Sequence, residues 1–193
     1  MKPLTQSDLL SLEAYTKQRA DFRTRVLEHK RNRKVRVGEH VTLLFEDRLT
    51  IQYQVQEMLR TEKIFESEGI AEELGAYNPL VPDGRNLKCT MLIEYDDAEE
   101  RKRELLRLRN IEHDVQLVVE GHAPVTAVAD EDLPRSNDEK TAAVHFLRFE
   151  LDGPMAADFK RCTGASFRIE HPNYKAEVRL TDAQQKALTA DLD

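Results

Sequence analysis

The chain has 193 residues, 34% of them charged and 40% apolar, and carries a net charge of -7. That is enough chain to bury a core without staples, and it is too apolar for a disordered one. No run approaches the roughly 20 apolar residues of a membrane span, and MKPLTQSDLL lacks the apolar stretch of a secretory leader, so export is not expected. Cys89 and Cys162 are the only cysteines and have no CxxC spacing. They are expected as reduced thiols of a cytoplasmic protein, Cys89 in the core and Cys162 nearer the surface. With no tryptophan, a base-stacking platform is not expected.

The N-terminus reads as helix, with Thr5 or Ser7 as cap and Leu9, Leu10, Leu12 and Tyr15 as its apolar contacts. A second helix is expected over about 17–31, with Phe22, Val26 and Leu27 at helical spacing. KVRVGEHVTLLFED alternates about Gly38 and predicts a hairpin. Ile51, Val55, Met58 and Leu59 then fall on one helical face. Residues 66–77 are expected to continue helical, broken at Gly69 and ended near Gly75, before the loop NPLVPDGRN. Leu87, Cys89, Met91, Ile93 and Tyr95 alternate as a strand. DDAEERKRELLRLRN reads as a helix with acids first and bases last, and Leu105, Leu106 and Leu108 form its expected buried stripe.

The rest is mostly strand. DVQLVVEGHAPVTAVAD predicts a hairpin about Gly121, EDLPRSNDEK a polar loop and TAAVHFLRFEL a long strand. DGPMAADFKRC reads as a short helix, ASFRIEHPNYKAEVRL as a hairpin turning at Pro172-Asn173, and TDAQQKALTADLD as a helix capped by Thr181. Short turns make these strands antiparallel. The expected fold is one α+β domain over residues 1–193. It has a helical N-terminus and a mostly antiparallel, curved sheet or partly closed barrel with helices packed on it.

Strand alternation places His145 with Ala143, Leu147, Phe149 and Leu151, opposite Arg148 and Glu150. It places His171 with Phe167 and Ile169. Both histidines are therefore expected on buried faces. One reading is a metal or haem site on His145 and His171, with Asp47, Glu57 or Glu94 as carboxylate and iron or haem as the cofactor, since two histidines and a carboxylate hold non-haem iron. The other is a pair of core histidines bonded to backbone or to Tyr53, Tyr95 or Tyr174. His29, His40, His113 and His122 lie in charged or turn-like sequence and are expected in solvent.

Tyr53, Gln56, Glu57 and Arg60 line up at i, i+3, i+4 and i+7. They form either a polar, partner-facing surface or a solvated helix face. Residues 17–36 carry nine Lys or Arg, among them Arg31 and Arg33, against Asp21 and Glu28. The segment is thus +7 and the remaining chain -14. No nucleic-acid motif accompanies this charge, so nucleic acid is a disfavoured partner and an acidic surface a simpler one. No nucleophile elbow or phosphate loop is present.

VTLLFEDRLTIQYQVQEMLRTE, ELGAYNPLVPDGRNLKCTMLIEY, DEKTAAVHFLRFEL and EHPNY resemble, in order and over nearly the whole chain, a bacterial family known as domain of unknown function 3501. The resemblance implies gene clusters that also encode rubrerythrin-like and iron–sulfur-cluster-binding proteins, and so a role in redox or peroxide defence. It supplies no catalytic residues. The function expected from it is a cytoplasmic accessory protein that binds such a redox partner. Its contact surfaces would be the segment around Arg31 and Arg33 and the stripe of Tyr53, Gln56 and Arg60. The alternative is a metal- or haem-dependent oxidoreductase using His145 and His171.

Overall fold

The computed structural model describes residues 2–137 and 139–193. Six α-helices and nine strands alternate in the order α1 (Leu12–Lys30), β1 (Lys34–Val37), β2 (Val41–Glu46), α2 (Arg48–Glu62), α3 (Ser67–Tyr77), β3 (Asn86–Ile93), α4 (Ala98–Arg107), β4 (Val115–Val119), β5 (Val125–Thr126), β6 (Val128–Ala129), β7 (Val144–Glu150), α5 (Gly153–Lys160), β8 (Ala165–His171), β9 (Tyr174–Arg179) and α6 (Asp182–Thr189). The α+β expectation holds, with a refinement. The strands form two antiparallel sheets, ordered β1-β2-β3-β7-β6 and β5-β4-β8-β9, and no closed barrel.

Alternation builds the core. Val35, Leu43, Phe45, Cys89, Met91, Leu147 and Phe149 from the first sheet meet Val115, Leu117, Phe167 and Ile169 from the second. Phe167 sits 5.0 Å from Phe45 and 5.1 Å from Phe149, ring centre to ring centre. The sheets are joined at both edges. On one side the chain passes from β5, paired with β4, to β6, paired with β7. On the other, Tyr174 Oη donates to the carbonyl of Val37 (2.7 Å) and accepts from the amide of His40 (3.0 Å). Gly38 lies beneath that hydroxyl with φ +74°, and a Cβ there would come 2.5 Å from it, so both conformation and space require glycine.

The N-terminal helices form their own layer. A short 3-10 turn, Gln6–Asp8, precedes α1. The two helices expected before residue 31 are one, because Ser11 caps Ala14 and the helix runs unbroken to Lys30. Conversely, α2 stops at a left-handed Lys63 (φ 58°), and α3 is a separate helix that passes through both Gly69 and Gly75. Asp47, the last residue of the segment expected as a hairpin, is the N-cap of α2, its carboxylate accepting from Thr50 N. Of the stripe expected on α4, only Leu108, which is its C-cap, is buried; Leu105 is partly covered and Leu106 is exposed. No helix among the described residues is long and apolar enough to cross a membrane.

Candidate metal centre

The site grows from the alternation of β7. His145 stands opposite Met91 in the β3–β7 register and is fully buried. Asp130 follows β6 in a left-handed conformation (φ 46°). It is locked to β7 twice: its amide donates to Phe146 O (2.9 Å), and its Oδ1 accepts from Phe146 N (3.1 Å). The other oxygen, Oδ2, then lies 2.6 Å from His145 Nδ1. A ring nitrogen facing a carboxylate carries the proton, so Nδ1–H donates to Asp130.

The far side of the ring gathers oxygens. Nε2 is 2.8 Å from Thr141 Oγ1, 3.1 Å from Ala142 O and 3.9 Å from Glu112 Oε2. Thr141 Oγ1 is itself 3.4 Å from Glu112 Oε2. Glu112 rides on a single 3-10 turn, Ile111–His113, entered through a left-handed Asn110 (φ 69°). Both Glu112 and Thr141 are buried. Ser136 donates to Thr141 Oγ1 (2.8 Å) and lines a neighbouring cavity of about 280 Å³, together with Asn110, Glu112, His113 and Arg135. Among the described residues, Glu112, Asp130 and His145 form a cluster whose ligand atoms all lie within 4.8 Å of one another.

His171 is elsewhere. Its Nε2 donates to Arg109 O (3.1 Å) and its Nδ1 accepts from Asn173 N (3.2 Å). Both nitrogens are satisfied by backbone, which is the core-histidine alternative. Glu57 is engaged by Arg19 through two bonds (2.8 and 2.7 Å) and by the Tyr15 hydroxyl (2.6 Å). Arg19 first, and Tyr15 with it, hold its carboxyl below the usual range. Glu94 accepts from Thr42 Oγ1. Asp47 binds His29 (2.5 Å) and lies 3.6 Å from Arg33. Burial opposes its ionisation, yet Arg33, the Thr50 amide and His29 keep its carboxyl below the usual range.

The expected partner surface is in large part internal. Gln56 is fully buried and clamps the N-terminal segment, accepting from Leu10 N (2.6 Å) and donating to Leu10 O (3.3 Å). Tyr53 stacks on Phe22. Arg33 is 1% exposed, donating to Phe45 O, Glu46 O, Ala187 O and Asp191. Arg31 and Arg60 remain exposed. Three of the histidines expected in solvent are engaged instead: His29 with Asp47, His122 with Asp158 (2.7 Å), and His40, which stacks on Tyr95 with its Nδ1 3.0 Å from Glu94 O.

Sequence reading missed Glu112, Asp130 and Thr141. They sit in irregular segments where no periodicity marks a face: the pairing of β6 with β7 brings Asp130 to His145, Thr141 stands on the segment that leads into β7, and Glu112 arrives on the turn Ile111–His113.

Fold and site together define an α+β protein of two facing antiparallel sheets, with a buried histidine–carboxylate cluster near their joined edge. The chain belongs to the family described as "Protein of unknown function (DUF3501)", whose model matches residues 3–192. This bears out the resemblance of the sequence segments. A crystal structure of a novel protein of unknown function from Burkholderia pseudomallei K96243 is similar at 50% identity and a TM-score of 0.94, covering 100% of both chains. No curated protein matches.

Proposed function

We propose that this protein binds one small divalent cation. Its donors are Nε2 of His145, Oε2 of Glu112, Oγ1 of Thr141 and the carbonyl of Ala142, with Asp130 holding the ring from behind. Glu112 is the observation that supports this. It is 2% exposed, yet its nearest hydrogen-bond partner among the described residues is 3.4 Å away. A buried charge is costly unless paired. The ionic partners of Glu112 are the rings of His113 at 3.8 Å and His145 at 3.9 Å, which carry charge only when protonated. A cation supplies a permanent pair, and it also relieves the contact between Nε2 and Ala142 O, two acceptors when Nδ1 alone carries the proton. Donors around a six-coordinate ion with bonds near 2.1 Å are about 3 Å apart when adjacent, which is near the spacing of Nε2 from Thr141 Oγ1 (2.8 Å) and from Ala142 O (3.1 Å).

One nitrogen among hard oxygens suits a first-row ion such as iron(II) or manganese(II). A fully buried ring beside a cavity of about 280 Å³ suits an ion better than a haem. The redox association implied by the family resemblance favours iron. A cytoplasmic role beside an iron–sulfur or rubrerythrin-like partner belongs to the same proposal, which the pair of unbridged thiols supports.

Calorimetric titration of metal-stripped protein with iron(II) under argon, and with manganese(II), tests the site. One ion per chain is expected. His145→Ala and Glu112→Gln should abolish binding, Asp130→Asn should weaken it about 10–100-fold, and His171→Ala should leave it intact. Binding that survives His145→Ala in a folded variant, or no stoichiometric binding at all, overturns the proposal.

A further inference from the structure

A second feature, independent of the metal reading, lies in the helical layer. Between the N-terminal segment, the end of α2 and the start of α3 runs a groove of about 580 Å³. Its apolar walls are Leu9, Leu12, Leu59, Ile64, Phe65 and Ile70. Phe65 is 71% exposed, more than any other large hydrophobic side chain among the described residues. A phenyl ring left in water gives up about 2 kcal/mol of burial, so an exposed aromatic at an apolar groove marks an interaction site.

The walls are built rather than loose. Gln56 clamps Leu10 through two hydrogen bonds, and Gln52 donates to Asp8 O (2.6 Å). The left-handed Lys63 turns the chain, and Ile64 N donates to Leu59 O (2.9 Å). Ile64 then packs so closely on Gly69 that a Cβ there would come within 2.7 Å of it.

The charge around the groove is one-sided. Glu13 lines it, and residues 60–73, which supply its Ile64, Phe65 and Ile70 wall, carry Glu62, Glu66, Glu68, Glu72 and Glu73 against Arg60 and Lys63. Burial, with repulsion from Glu62 and Glu72, pushes the Glu73 carboxyl up from its usual range. A groove with an apolar floor, built in part from an acidic segment, selects its occupant. An apolar stripe fills the floor, and cations flanking that stripe answer the glutamates.

We propose that this groove docks an amphipathic helix of a partner protein, with bulky apolar residues at i, i+3, i+4 and i+7 and lysine or arginine on its flanks. This is helix-in-groove recognition with an electrostatic filter. Phe65 is its central anchor.

The test uses a labelled synthetic helical peptide with leucines at those positions and lysines elsewhere, and a counterpart with glutamate replacing lysine. Binding to the full chain is followed by fluorescence anisotropy and by amide shifts. The lysine peptide should bind saturably, more weakly in high salt, with shifts confined to residues 9–13 and 59–70. Phe65→Ser should weaken it at least about tenfold. Glu62→Lys with Glu72→Lys, both exposed and away from the first turn of α3, should remove the preference for lysine. Equal binding of the two peptides overturns the charge selection. Binding unmoved by Phe65→Ser, or shifts located elsewhere, overturns the groove. Self-association of the chain that Phe65→Ser abolishes assigns the groove to a second copy and also overturns the proposal.

Discussion

Arg33 and Asp191 lie 158 positions apart and meet in the interior at 2.5 Å. Arg33 spends its other donors on the carbonyls of Phe45, Glu46 and Ala187. Asp191 is less well served, because its Oδ1 is buried with no hydrogen-bond partner among the described residues. Burial pushes its carboxyl up to about 6, against the pull of Arg33, with the nearby Asp47 adding to the rise. A carboxyl raised in the folded state is held more readily protonated there than in the unfolded chain. Its contribution to stability is therefore full below about 4 and is lost as pH rises through about 6. A rise from the ordinary 3.8 to about 6 corresponds to roughly 3 kcal/mol. Stability measured by urea denaturation at pH 4, 5, 6 and 7 should carry this component, and Asp191→Asn should remove it. An unchanged pH profile in Asp191→Asn would show that Asp191 does not titrate in this window.

At the scale of elements, caps decide where helices begin. Ser11 starts α1 with one exposed bond, its Oγ accepting from Ala14 N (3.2 Å). Asp47 starts α2 with a buried capping box and also binds His29 and faces Arg33. The two substitutions to alanine should therefore differ. Ser11→Ala should cost about 0.5–1 kcal/mol, the ordinary loss of a cap. Asp47→Ala should cost about 2–4 kcal/mol, since it also removes charge-assisted bonds and leaves Arg33 less compensated. Equal midpoint shifts for the two variants in urea would mean that the His29–Asp47–Arg33 contacts add nothing to the cap.

At the scale of the whole molecule, the two sheets are closed by unlike devices. The β5–β6 corner is continuous chain, whereas the β1–β9 edge relies on Tyr174 reaching Val37 and His40. Tyr174→Phe keeps the ring and deletes both bonds, at an expected cost of about 1–2 kcal/mol. Amide exchange should quicken over residues 34–42 and stay slow in β4 and β8. Uniform quickening over both sheets would show that this edge does not open on its own.

The sequence by itself determined the local grammar. Period-two alternation put His145, His171 and Cys89 inside, because a strand sends successive side chains to opposite faces whatever its neighbours are. Turn residues fixed the hairpins at Gly38, Gly121 and Pro172-Asn173, and Thr181 marked the last helix. What alternation could not give is which buried face meets which loop. His145 and His171 look alike along their strands, yet one faces Glu112, Asp130 and Thr141 and the other only backbone. The helical stripe of Tyr53, Gln56 and Glu57 was visible, but not that the N-terminal segment and α1 would cover it. Arg33 looked like one cation of a basic surface until its partner arrived from the other end of the chain. Periodicity is a property of neighbours in sequence, while the pairing of β6 with β7 and of Arg33 with Asp191 is long-range. Only the tertiary structure could decide those contacts.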